Sequence, residues 1–219
     1  MKKALFLLIL AVASHISFAQ TDSLSTPPKQ ISLGLDVFQS IPSFVLREKY
    51  FTHNTLVVEP TLRMNGKLPR KFILLSAGYV NGSTTKNPMY PGTRENFQGI
   101  YFKAGFETSH TRFPLRIGYG PLVSWSVYSG RHLFEGPVFG DYRHHFRYNN
   151  LAAGVHGYLG YDFTTGKKSF IRVSGQISTA LRMGELEPSY YPGMGVSASS
   201  DLIIYATGGI TAQFFYRIR

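Results

Sequence analysis

The residues best suited to chemistry lie in one stretch, S129-G-R-H-L-F-E-G-P-V-F-G-D-Y-R-H-H-F-R-Y-N-N150. It interleaves Arg131, Arg143 and Arg147 with Phe134, Phe139, Tyr142, Phe146 and Tyr148. Guanidinium groups grip carboxylates and phosphates through paired hydrogen bonds, and aromatic rings offer stacking faces to sugars. The stretch also holds His132, His144, His145 and Asp141. Adjacent histidines on a strand point to opposite faces, so His144 and His145 cannot chelate together. With no cysteine in the chain and no zinc-type ligand spacing, a metal centre is not expected, and neither is a cofactor. The bland alternative is that these residues simply prolong the two flanking strands.

A second set of ionisable residues is scattered through alternating segments: Asp36, Glu59, Arg63, Lys103, Glu107, Arg116, His156, Tyr158, Asp162, Arg172, Gln176, Arg182 and Arg217. In each segment these residues share one strand face, and aliphatic or aromatic residues take the other. The last segment, G209-G-I-T-A-Q-F-F-Y-R-I-R219, illustrates it. Ile210, Ala212, Phe214, Tyr216 and Ile218 share a face, with Thr211, Gln213, Phe215, Arg217 and Arg219 on the other.

Period-two segments are expected at about 30–39, 54–64, 71–80, 99–107, 115–128, 151–163, 169–182 and 209–219. That makes eight strands. Phe72–Val80 alternates poorly and is compatible with either facing. Pro60 and Pro121 each remove a ladder donor within a strand. Three connections are short (65–70, 108–114 and 164–168) and take turns with four long ones (40–53, 81–98, 129–150 and 183–207). An up-and-down barrel with all its long loops at one end produces this alternation.

The first 19 residues, M-K-K-A-L-F-L-L-I-L-A-V-A-S-H-I-S-F-A, have the charged start, apolar middle and small-x-small end of a secretory signal peptide. Residues 20–29, with Pro27-Pro28, read as a flexible periplasmic leader, and 30–219 as one barrel domain. Loss of Lys2 and Lys3 on export lowers the formal charge from +11 to +9. Export and the spread of basic residues exclude nucleic acid as a partner. No later run is long and apolar enough for a spanning helix, so residence in a membrane requires a closed barrel. An aromatic content of 15% with 22 glycines favours strands and tight turns.

Ala19-Gln20, the eight alternating segments and the end Phe214-Phe215-Tyr216-Arg217-Ile218-Arg219 resemble the small eight-stranded outer-membrane β-barrels. These are the OmpX and OmpA-membrane-domain type, together with uncharacterised barrels whose last strands end aromatic-x-aromatic-Arg. The resemblance covers nearly the whole mature chain. It implies an all-β, eight-stranded antiparallel up-and-down transmembrane barrel in the outer membrane of a diderm bacterium. It also implies assembly by the barrel-insertion machinery, although this chain ends on Ile218-Arg219 where that class finishes on an aromatic.

Within such a barrel the ionisable set faces inward and pairs in a bore just wide enough for side chains, so no open channel is expected. Arg131, Arg143, Arg147, Tyr142 and Tyr148 then face the exterior, where lipopolysaccharide supplies the anions. The expected role is non-enzymatic, structural or surface-interacting. Two alternatives stand beside it. One is a lipid A deacylase, for which the family's His-x-Ser is replaced here by His156-Gly157-Tyr158 with an inward-facing Ser174. The other is a soluble exported barrel that holds a small ligand. Gly193-Met194-Gly195-Val196-Ser197-Ala198 fits a dinucleotide fingerprint in letters only, since it opens no helix.

Overall fold

Ten strands follow one another without a helix among the described residues. They are β1 (Ile31–Asp36), β2 (Thr52–Asn65), β3 (Lys71–Thr84), β4 (Arg94–Ser109), β5 (Leu115–Phe134), β6 (Tyr142–Thr164), β7 (Ser169–Arg182), β8 (Tyr190–Tyr191), β9 (Gly195–Ser197) and β10 (Ile204–Arg217). The computed structural model describes residues 30–36, 52–66, 70–84, 94–110, 113–134, 140, 142–183, 190–191, 195–197 and 204–218. The expected signal peptide and leader lie outside these residues, as do Phe139, Asp141 and most of the long connections.

Neighbours in sequence pair antiparallel from β1 to β7, and β10 pairs with β7. The cylinder closes where β10 also pairs with β1, from Ser32 opposite Arg217 to Asp36 opposite Gln213. The fold is therefore a closed, all-antiparallel up-and-down barrel of eight staves, β1 to β7 and β10. Beyond the β1 contact, the same side of β10 takes up β9, with Gly208 opposite Val196. Closure leaves the staves no free edge over their shared height.

Side chains alternate as the sequence predicts. On β2, Val57, Glu59, Thr61 and Arg63 are buried, while Leu56 and Pro60 are exposed. β3, ambiguous by pattern, turns Leu74, Gly78 and Val80 inward and Leu75 and Tyr79 outward. The result is inverted polarity. Charged residues such as Arg172 (1% exposed) and Glu107 (0%) are buried, and apolar residues such as Ile177 (71%) and Phe106 (59%) are exposed.

The two prolines interrupt ladders but keep register. β2 and β3 pair at Val57–Val80 and again at Thr61–Ser76, on either side of Pro60. β4 and β5 pair at Lys103–Leu122 and again at Phe106–Tyr119, on either side of Pro121. Both missing steps follow from the absent N–H.

Three cross-strand pairs set an aromatic ring on a glycine: Phe215 opposite Gly34, Tyr101 opposite Gly78, and Tyr158 opposite Gly118. A Cβ built on Gly78 comes within 2.0 Å of the Tyr101 ring, and one on Gly118 within 2.3 Å of the Tyr158 ring. The bore is too narrow for a side chain beneath each ring, so the glycine makes the room. Gly78→Val should therefore overpack the interior by about 1–3 kcal/mol or more. Gly175→Ala, where an added Cβ meets nothing within 4 Å, should be near neutral. Urea unfolding of the two refolded variants measures the difference; equal midpoints would show that the ring does not need the glycine.

Candidate functional site

Two regions gather the chemistry: the barrel's interior and the ribbon that continues β5 and β6. The interior is layered. Nearest the short turns, the alternating positions of β2, β4, β5, β6 and β7 aim Arg63, Glu107, Arg116, Asp162 and Arg172 at one another. Arg172 is the hub. Its Nη1 donates to Glu107 Oε2 and its Nε donates to Asp162 Oδ1 at 2.7 Å. Arg63 Nε donates to Glu107 Oε1 at 3.0 Å, and Arg116 Nε donates to Asp162 Oδ2 at 2.8 Å. Tyr158 completes Glu107 with a hydroxyl hydrogen bond at 2.7 Å.

Three guanidinium groups thus share two carboxylates, and aromatic faces take up the remaining positive charge. The Arg63 guanidinium lies 3.4 Å from the centre of the Phe72 ring. Arg172 lies 5.0 Å from that of Phe215, which stacks on Phe170 at 4.8 Å.

Halfway along the bore a second group forms around Glu59, whose Oε2 accepts from Lys103 Nζ at 2.9 Å and from the Tyr101 hydroxyl at 2.6 Å. Asp36 is buried in register between Glu59 and Gln213. Ser174 and Thr211 share a hydrogen bond at 2.6 Å. A cavity of about 40 Å3 lies here, lined by Glu59, Lys103, His156, Gln176 and Gln213 among others. It has room for a few waters and no more. His156 is buried, and its Nδ1 has no hydrogen-bond partner among the described residues. A nucleophile–base–acid relay requires a base joined to both neighbours. Ser174 instead bonds Thr211, so the His156–Ser174 pair of the deacylase alternative is not assembled. No group of three or more metal-ligating side chains occurs among the described residues.

Toward the long-loop end an apolar cluster of Val57, Val80, Phe97, Tyr101, Leu122, Tyr128, Ala152 and Ala180 fills much of the bore, beside buried Ser124, Ser126 and Asn150. Sequence reasoning missed this plug. Phe97 falls within the connection expected at 81–98, and the structure places it on β4. Continuing the inward parity of Tyr101 back to Phe97 is the signal that finds it.

The stretch from Ser129 to Asn150 is mostly not a loop. β5 and β6 stay paired from Tyr128–Tyr148 up to Phe134–Tyr142, so the hairpin stands as a ribbon beyond the other staves. The strand-prolonging alternative describes its backbone. The ribbon separates the candidate residues by parity. Tyr142, His144, Phe146 and Tyr148 share the face that continues the inward side, with Phe146 and Tyr148 stacked at 5.1 Å. Arg143 and Arg147 share the outward face with Arg131, and all three are exposed. The pattern does not bring arginines and tyrosines together on one surface. The side chains of His132 and Arg182 lie outside the described set.

No protein-family model matches the chain, and no curated protein matches it. Among solved structures, the chain is similar to the crystal structure of Neisserial surface protein A (NspA). The likeness covers 86% of this chain and 94% of that one, at 9% identity and a TM-score of 0.41.

Glu107→Ala removes the carboxylate shared by Arg63 and Arg172 and leaves both cations buried. The expected loss is about 3–5 kcal/mol, read from denaturant unfolding in micelles. A Lys71→Ala control at the exposed first position of β3 should leave stability within about 0.5 kcal/mol. An E107A barrel as stable as the parent would show that the network does not hold the bore together.

Proposed function

We propose that the protein is an integral, non-enzymatic β-barrel of the outer membrane of a diderm bacterium, with a structural or surface-interaction role in the envelope. The observation that carries this is the inverted polarity of a closed cylinder. Leu33, Phe102, Tyr119, Val155, Ile177 and Phe214 stand exposed on different staves, so the apolar surface runs around the barrel. Soluble monomers rarely expose contiguous apolar patches beyond a few hundred Å2. A bilayer provides the missing apolar surroundings, and a closed barrel satisfies every backbone group within it. The outward run of β5 from Ile117 to Trp125 suits the roughly 9–11 tilted residues that cross the hydrocarbon. Tyr161 and Tyr216 near the short turns, and Tyr79 and Trp125 toward the other end, suit interfacial girdles.

The filled bore supports a structural role over a conducting one. With the network at one end and the apolar plug at the other, the interior has no space for an ion file. Outward Phe214 and Tyr216 on the last stave are the residues we expect the barrel-insertion machinery to bind. The ribbon, standing beyond the belt, is the part of the protein available to lipopolysaccharide or other surface partners.

The test is folding in detergent followed by electrophoresis with and without boiling. Heat-modifiable migration, loss of folding when detergent is withdrawn, and no unitary conductance in planar bilayers are expected. A monodisperse folded protein in plain buffer would overturn the membrane assignment. A change in lipid A acyl number in a deletion strain would overturn the non-enzymatic one.

A further inference from the structure

We infer that the outward face of the β5–β6 ribbon is a phosphate-binding surface for the outer-leaflet lipids that pack around the barrel; this rests on the membrane reading above. Arg131, Arg143, His145 and Arg147 have the same outward parity as Val123, Trp125 and Leu151. Arg131 lies directly opposite His145, and Arg143 and Arg147 lie opposite Leu133 and Ser129. Arg131 therefore has an arginine on each diagonal of the neighbouring strand, a separation of roughly 7–8 Å that long side chains span. On its other side it is in register with Arg94 of β4.

Like charges set across neighbouring strands repel each other. No acidic residue relieves them at outward positions 129, 131 and 133 of β5 or 143, 145, 147 and 149 of β6. All four side chains, those of Arg131, Arg143, His145 and Arg147, are exposed. A multiply charged anion seated among the guanidinium groups converts the repulsion into paired, bidentate hydrogen bonds.

The height of the patch selects the anion's source. Trp125 and Leu151 face each other at the upper part of the apolar belt. Arg147 follows Leu151 on the same face by four residues, a rise of about 14 Å along the strand, which strand tilt and the arginine's own reach shorten. An amphipath whose acyl chains lie on Val123, Trp125 and Leu151 brings its phosphates to this level. A free anion has no apolar half with which to use the adjoining surface. Tyr142, His144, Phe146 and Tyr148 have the opposite parity and take no part.

The experiment compares the detergent-folded parent, R131A/R143A/R147A and Y142S/Y148S. Each is mixed with phosphatidylcholine bicelles that contain bis-phosphorylated or enzymatically dephosphorylated lipid A, and retained lipid is counted by native mass spectrometry. The parent should prefer the phosphorylated lipid. An arginine near a charged membrane surface is worth about fivefold in binding, so the triple variant should lose on the order of a hundredfold. Y142S/Y148S should bind like the parent, and inorganic phosphate at equal concentration should not displace the lipid. A triple variant that retains the lipid, a parent indifferent to its phosphates, or displacement by inorganic phosphate would overturn the inference. Heat-modifiable migration of all three proteins separates the two levels: its absence from the parent sinks the membrane assignment, whereas its presence without phosphate preference sinks only this surface.

Discussion

Closure of the sheet between β1 and β10 is the constraint from which the rest follows. Once Ser32 to Asp36 pair with Arg217 to Gln213, each side chain on a stave has only two destinations, the bore or the outside. Among the described residues the sheet has no second layer on which to bury its outer face. A chain built this way can keep apolar residues outside only where the surroundings are apolar. It can keep charges inside only where they satisfy one another. Both conditions are visible: Ile177 and Phe106 stand exposed, and Arg172 and Glu107 meet in the interior.

The bore is closely filled, around a cavity of about 40 Å3, because its contents interlock at different heights. Arg172 reaches both Glu107 and Asp162, and Arg63 and Arg116 approach the same carboxylates from other staves. Removing Arg172 would take a partner from both carboxylates at once, in a medium that solvates them poorly. Rings laid over Gly34, Gly78 and Gly118 fill the width between. The apolar layer of Phe97, Leu122 and Tyr128 stops the bore at the other end.

On the outer surface the β5–β6 ribbon is set apart by length. Pairing continues to Phe134–Tyr142, past the last β4 partner at Arg94–Arg131 and the last β7 partner at Arg182–Ala152. Beyond those points the ribbon's two faces see different surroundings. The outward face rises from the apolar belt, and its residues change from Trp125 and Leu151 to arginine. The other face rises from the bore, and its residues stay aromatic.

Strand parity was legible from the residues alone, because alternation of side chains is a property of each extended segment by itself. Glu59 and Arg63 fell on one face of β2, and Ile210, Phe214 and Tyr216 on one face of β10, whatever their neighbours. The number of staves, their antiparallel order and the burial of Asp36, Lys103, His156 and Arg172 followed from that. Which charges meet did not. Arg172 finds Glu107 from 65 residues away, a contact created only when the two staves between them, β5 and β6, take up their register and stagger around a closed ring. The same dependence hid the ring-on-glycine pairs, since Tyr101 and Gly78 become neighbours only through register. It also hid the division of Arg143 and Arg147 from Tyr142 and Tyr148, since the ribbon's parity exists only if β5 and β6 remain paired through a stretch rich in loop-like residues. Local chemistry determined which way the side chains of the alternating staves point, β3 excepted; the closed tertiary ladder decided what they touch.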